Sequence, residues 1–377
     1  MRNKVFSKGL MAAAFLLGAS IPAAASVSVI NTNVGGQKLN VKLFGFSQIT
    51  AQTGDGLASS ATDKRDSLRF GADRVRLGYK LTMNKVFSKL QLDFVKSDDA
   101  HKEGQLDEII KDADVGYKFN NAFFVKFGEF KTPVGMDFNT SGAKLDITKR
   151  GMEKALVLER SLGAMLSGRK IGGMFGYDIG VFNPATRASK VVDNPLTTNK
   201  SHGVAGHDLA YAVRGMADWN DLHMELSYGV SQEAAGDNYT SGTKAEDYSV
   251  LDVAAAYKLK AMTLKGEYVA GSNIKGVKDR DESVWYLHAG YRFLPMVEGV
   301  VRHYQAHYDP ETGPSTDLGN TYLGVNVFLN TAAKYTARIQ LNYVIASGDD
   351  GFTGNIYEGV TGGYRDDVIL AQFQLAF

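Results

Sequence analysis

The sequence predicts an all-β protein: a transmembrane antiparallel up-and-down β-barrel of about sixteen strands, with a constriction loop after strand 5. Three observations predict it. Apolar and polar residues alternate with period two, the connections between alternating runs are short and long by turns, and the last run ends on a bare aromatic, Phe377.

Residues 1–25 precede the first such run. Arg2, Lys4 and Lys8 form a basic start, GLMAAAFLLGASI a short apolar stretch, and Ala23, Ala24 and Ala25 a small-residue cleavage site. That is the layout of a secretory signal peptide, too short to span a membrane as a helix. The mature chain is expected to start near Ser26, and 26–377 to form one barrel, since no Pro- or Ser-rich linker divides it. No later run is apolar enough for a spanning helix, an exclusion that leaves half-apolar barrel strands open.

Composition removes further classes. There is no cysteine, so neither a disulfide framework nor a thiolate metal site is available. Without the three leader bases, 39 Lys+Arg face 41 Asp+Glu, which gives no bulk basicity for nucleic acid.

Four runs alternate most clearly. RVRLGYKL sets Val75, Leu77, Tyr79 and Leu81 against Arg74, Arg76 and Lys80, and LHMELSYGV sets Leu222, Met224, Leu226, Tyr228 and Val230 against His223, Glu225 and Ser227. YTARIQLNYVI sets Tyr335, Ala337, Ile339, Leu341, Tyr343 and Ile345 against Arg338, Gln340 and Asn342, and the final run sets Ile369, Ala371, Phe373, Leu375 and Phe377 against Gln372 and Gln374. KLNVKLFGFSQIT and VEGVVRHYQAHY, the first and thirteenth strands, alternate poorly and leave their registers open.

Tight turns centre on MNKV, FNNA, RKIGG, DWND, LKAM, FLPM and LNTAA, with longer Gly-rich polar connections such as 53–66, 183–207 and 347–366 between them. Short turns on one rim and long loops on the other describe an outer-membrane barrel, and sixteen strands leave a water-filled interior. The six prolines after the leader, Pro133, Pro184, Pro195, Pro295, Pro310 and Pro314, all fall in connections, as a closed barrel without a free edge requires. Phe123, Phe127, Trp219, Trp285, Tyr291, Phe293 and Phe377 sit on the apolar face near strand ends, as interfacial girdles do. Phe377, last in a strand with apolar residues at every second position, looks like the C-terminal signal read by the barrel-assembly machinery, and in the membrane it faces lipid or the interface.

If the apolar face meets outer-membrane lipid, the polar face meets water. The lumen then receives Arg74, Arg76, Lys80, Lys126, Arg214 and Arg338, together with Asp93, Asp112, Asp114, Glu225 and Glu267. The longest connection, 132–160, carries Lys144, Lys149, Arg150, Lys154 and Arg160 against Asp137, Asp146, Glu153 and Glu159, a net excess of one base. Folded inward it would narrow the lumen, and ITKRGMEKALVLERSL has the spacing of a short helix.

FVKFGEFKTPVGMDFNTS followed by LERSLGAMLSGR resembles the phosphate-selective porin O and P family, and DRVRLGYKLTMNKVFSKLQLDF is similar to another of its strand pairs. The resemblance implies a homotrimeric sixteen-stranded porin that passes small ions and solutes, often anions, with the third loop and basic wall residues as its constriction. By position Lys131 and the bases of 132–160 correspond to that constriction. The family's dense arginine ladder and central lysine cluster are not matched here.

No nucleophile-elbow, phosphate-loop, zinc-hydrolase or dinucleotide motif occurs. His303 and His307 would share a strand face but lack a third ligand nearby, and read as interfacial or lumen histidines. The sequence thus points to a passive diffusion channel with no cofactor, no metal and no enzyme chemistry. The alternatives are an adhesin or receptor acting through its long loops, and an outer-membrane hydrolase.

Overall fold

The computed structural model describes residues 26–54, 68–95, 109–184, 209–232, 246–348, 363–364 and 366–377. The leader and most of the three long connections named above lie outside these residues, as does Pro195.

Among the described residues seventeen strands form: β1 Val27–Val34, β2 Gln37–Thr53, β3 Arg69–Met83, β4 Val86–Asp93, β5 Ile110–Lys118, β6 Phe124–Lys131, β7 Arg160–Ile171, β8 Phe175–Phe182, β9 Ala210–Trp219, β10 Leu222–Ser231, β11 Tyr248–Leu259, β12 Met262–Ser272, β13 Asp281–Leu294, β14 Val297–Asp309, β15 Thr316–Phe328, β16 Ala337–Gly348 and β17 Val368–Ala376. From β2 onward each strand pairs antiparallel with the next, and β17 returns to β2, with Ile369 opposite Thr53 and Ala376 opposite Phe46. The sixteen strands β2 to β17 therefore close a barrel.

Burial is inverted relative to a soluble protein. On β10, Met224, Leu226 and Tyr228 are exposed while Glu225 and Ser227 are buried; on β16, Leu341 and Tyr343 are exposed while Arg338, Gln340 and Asn342 are buried. An apolar outer belt around a polar interior is stable only in lipid. Within it Trp219 and Phe293 are exposed, and Tyr291 packs edge-on against Phe293 with ring centroids 4.9 Å apart.

All seven expected turns join consecutive strands, and five of the six prolines lie between strands. In the β3–β4, β9–β10 and β11–β12 turns Asn84, Asn220 and Lys260 adopt φ of 54°, 53° and 50°, the left-handed conformation that closes tight hairpins. Phe377 hydrogen-bonds in both directions with the Gly45 backbone, at 3.0 and 3.1 Å, and a side chain at Gly45 would come within 2.9 Å of its ring. The terminal aromatic thus seals the β2–β17 seam.

Three features differ from the sequence expectation. The strand β1 was not foreseen: Gly35 and Gly36, with φ of 56° and 76°, turn the chain back so that β1 covers the stretch of β2 that β17 does not reach. Tyr335, assigned to the apolar face, precedes β16, and its ring lies 5.5 Å from the Arg338 guanidinium and 6.0 Å from Lys144 Nζ. The helical spacing in 147–162 yields only a 3₁₀ turn, Met152–Ala155, because pairing with β6 draws the chain into β7 from Arg160 onward. The one α-helix among the described residues, α1 Met136–Asn139, lies nearer β6.

Candidate functional site

The connection 132–159 is held by side chains that point into the barrel. Its apolar residues Val134, Phe138, Ile147, Met152, Leu156 and Leu158 are buried in one cluster with Val250, Val269, Val284, Tyr304, Val344 and Leu370 of the wall. Around this cluster the backbone is hydrogen-bonded residue by residue. Gly135 N–H donates to Ser227 Oγ at 3.2 Å, Asp137 N–H to the Glu267 carboxylate at 3.0 Å, and Thr148 N–H to Asn342 Oδ1 at 2.9 Å. In the other direction, Leu145 O accepts from Arg338 at 2.7 Å, Gly142 O from Gln48 at 2.9 Å, Asp146 O from Asn326 at 3.0 Å and Ala143 O from Gln374 at 3.1 Å. A loop without regular structure satisfies its polar backbone only with such partners. These belong to β2, β10, β12 and β15 to β17.

Charge completes the attachment. Asp146 pairs with Lys265 at 2.6 Å and Arg302 at 3.1 Å; Arg302, 1% exposed, also reaches Asp137 at 3.5 Å and lies 4.3 Å over the Tyr286 ring. Burial alone would raise the Asp146 pKa, but Lys265, His288 and Arg302 hold it well below the usual carboxylate range. For Glu153 burial, reinforced by Asp137, outweighs the pull of Arg302 and Arg150 and pushes it up to about 7.

The bases expected in the lumen all have inward contacts. Arg74 donates to Gln48 Oε1 at 2.7 Å, Arg76 pairs with Asp93 at 2.7 Å, and Arg214 pairs with Asp178 at 2.6 Å and Glu225 at 3.4 Å. Lys80 lies 5.2 Å over Phe44 and Lys126 3.6 Å over Phe130. Lys131 donates to the carbonyls of Phe138 and Thr140, and Arg150 donates to those same carbonyls and, at 3.3 Å, to that of Asp137. Lys149 reaches Asp73 at 3.5 Å, Lys144 faces Tyr335, and Arg338 binds the loop as described. Lys131 and Arg150 are thus brought together at the root of the loop.

Sequence reasoning missed Arg302, because its strand hides the alternation: outward positions on β14 hold His303, Gln305 and His307, while inward ones include Val300 and Ala306. It also passed over Lys89, Arg169, Lys265 and His288, although Lys89 shares its strand face with Asp93 and Lys265 with Glu267, both of which were expected in the lumen. The two histidines proposed for a face-sharing pair do point outward; His303 contacts Thr321 at 2.9 Å and His307 contacts Asp317 at 2.9 Å. No cluster suited to a metal ion occurs among the described residues.

The two sides of the barrel differ in access. Beneath the loop, Arg302, Arg338, Asp252 and Tyr304 are sealed from solvent. Toward β3 to β8, at several ion pairs the base is the member nearer water: Lys89 is 31% exposed and Arg160 16% over Asp112 at 5%, and Arg169 is 38% exposed over Asp178 at 0%.

A family model described as phosphate-selective porin O and P matches residues 48–350, most of the chain. No curated protein gives a match. Among solved structures, the chain is similar to OmpF of Salmonella typhi in complex with daunomycin (14% identity, 92% of this chain and 100% of that one, TM-score 0.64). It is also similar to an anion-selective porin from Comamonas acidovorans (15%, 90% and 100%, TM-score 0.62) and to OmpT of Vibrio cholerae in a trimer form (14%, 90% and 99%, TM-score 0.61). At such identities the likeness is one of fold alone, and it is the family that points to a channel. With its closed sixteen-stranded wall, lipid-facing belt and family match, the chain belongs to the phosphate-selective porin O and P family, the channels of the Gram-negative outer membrane.

Proposed function

We propose that the protein is a passive diffusion channel with anion preference, narrowed by the connection 132–159 to a passage along β3 to β8. The observation that carries this reading is the ordering of its ion pairs: bases stand over more deeply buried acids, so the water-facing charge is positive. Lys80 and Lys126 against rings, and Arg150 against carbonyls, add cations that these contacts leave un-neutralised. In a narrow low-dielectric passage such cations concentrate anions. The family's description makes phosphate the oxyanion to test first.

We further infer that residues 1–25 are removed on export and that three copies assemble, as in the trimer form of the Vibrio OmpT structure. Ion substitution in planar bilayers tests the channel reading. Replacing chloride by a bulky organic anion should cut the current more than replacing potassium by a bulky cation; the reverse order would overturn anion preference. Absent conductance from a folded barrel would overturn the channel itself.

A further inference from the structure

On the outer face of β13 to β16 the lipid-facing belt is interrupted. The cross-strand row Leu287, His303, Thr321, Ile345 sets two polar residues between two exposed apolar ones. The next row is Trp285, Gln305, Gly319, Ser347, and the one after it Ser283, His307, Asp317. These rows climb toward the strand ends that carry the long connections, the extracellular ends in this class of barrel. Their side chains meet one another. His303 contacts Thr321 Oγ1 at 2.9 Å and its ring lies 5.5 Å from that of Trp285, and His307 contacts Asp317 at 2.9 Å. A side chain at Gly319 would run into Ser347 Oγ and Gln305 Oε1, so these two polar groups close over it. Acyl chains offer such a strip no hydrogen bonds, and it calls for a partner that does.

Directly below the strip the same strands form an apolar trough of about 710 Å³, lined by Ala289, Gly299, Val301 and Leu323 and flanked by Phe293 and Tyr343. Ala289 and Gly299 keep its floor low, while Phe293 on one side is 65% exposed and stands proud of the wall. Val301 and Leu323, paired across β14 and β15, lie two residues from His303 and Thr321, so trough and strip are continuous. From β13 to β16 is three strand spacings, roughly 15 Å. A hollow of that width on a convex wall fits a chain better than a second convex barrel.

We propose that this face holds one acylated saccharide, a glycolipid of the outer leaflet, with its sugar head on the strip and an acyl chain in the trough. Trp285 supplies a ring face, and Gln305, Thr321, Ser347 and Asp317 supply the donors and acceptors that sugar hydroxyls pair with. Asp309 and Asp317 both flank His307, at 3.5 and 2.9 Å, which leaves the strip no surplus of positive charge to select a phosphate. The order suits the membrane, with the head toward the extracellular side and the chain toward the midplane. Fit in the trough and hydrogen bonds at the head, not removal of apolar surface from water, distinguish this lipid from its neighbours.

The chain has two tryptophans, so in a Trp219→Phe background fluorescence reports Trp285 alone. The barrel is placed in phosphatidylcholine vesicles doped with diglucosyl diacylglycerol, which has sugar without phosphate, with phosphatidylglycerol, which has phosphate without sugar, or with lipid A, which has both. Trp285 emission should change saturably with the diglucosyl lipid and with lipid A and stay flat with phosphatidylglycerol. Gln305→Ala at the head, and Ala289→Leu, which fills the trough, should each raise the glycolipid fraction at half-saturation at least tenfold. If either variant inserts poorly, the comparison of heads in the background barrel decides alone. Flat emission with all three lipids, or a response to phosphatidylglycerol equal to that of the diglucosyl lipid, would overturn the assignment. So would a response that follows the protein-to-lipid ratio instead of the glycolipid fraction, which would make this face a contact between copies. Unchanged half-saturation in Ala289→Leu would overturn the seating of the chain.

Discussion

Replacing Arg302 by methionine should release the connection without dismantling the barrel. Arg302 is 1% exposed and bridges Asp137 at 3.5 Å and Asp146 at 3.1 Å. Asp146 retains Lys265 at 2.6 Å after the change, whereas Asp137, 2% exposed, loses its ion-pair partner. Breaking a buried pair costs about 3–5 kcal/mol, and with one acid still compensated the lower end, about 3 kcal/mol, applies. At about 1.4 kcal/mol per tenfold, the undocked population rises about 100-fold. Amide-exchange protection over 134–150 should fall by that factor, while the temperature of the gel band shift that reports barrel unfolding stays near the wild-type value. Adding Asp137→Asn should restore part of the protection, because it removes the stranded charge. Unchanged protection in the single variant, or its loss together with the whole barrel, would refute the assignment of Arg302 as the loop's anchor.

Other substitutions separate the remaining contacts. Asp178→Asn strands Arg169 and leaves Arg214 only Glu225, and should lower barrel stability in urea by about 3 kcal/mol while raising anion preference in bilayers. For Glu153, raised from 4.5 to about 7, the docked state favours the neutral acid; its stabilisation is full below about pH 4.5 and lost as pH rises through about 7. Glu153→Gln should therefore remove a loss of protection over 150–158 that the wild type shows between those pH values. A side chain at Gly151 would run into the Tyr304 ring, so Gly151→Ala should weaken docking by about 1–3 kcal/mol, read as faster exchange over 148–158.

The barrel was legible because its rule is local. Alternation on β10, β16 and β17, and Asn- or Lys-bearing turns between strands, fix which side chains face lipid and which face inward. The path of 132–159 was not legible in detail, since its backbone is satisfied by residues far off in sequence, such as Asn342 for Thr148 and Arg338 for Leu145. Arg302 escaped for the same kind of reason: its strand carries polar residues on both faces, and its partners Asp137 and Asp146 lie more than a hundred positions away. The sequence's near-neutral balance also hid the segregation of charge, because depth, which composition does not encode, decides that Lys89 and Arg160 rather than Asp112 meet the water.

The reversal potential of the purified protein across a potassium chloride gradient tests the central claim, that the water-facing charge of the passage is positive. The account predicts a clear anion preference that shrinks when Lys131 and Arg150 are both replaced by glutamine. A cation preference, or an anion preference indifferent to those two residues, would contradict it.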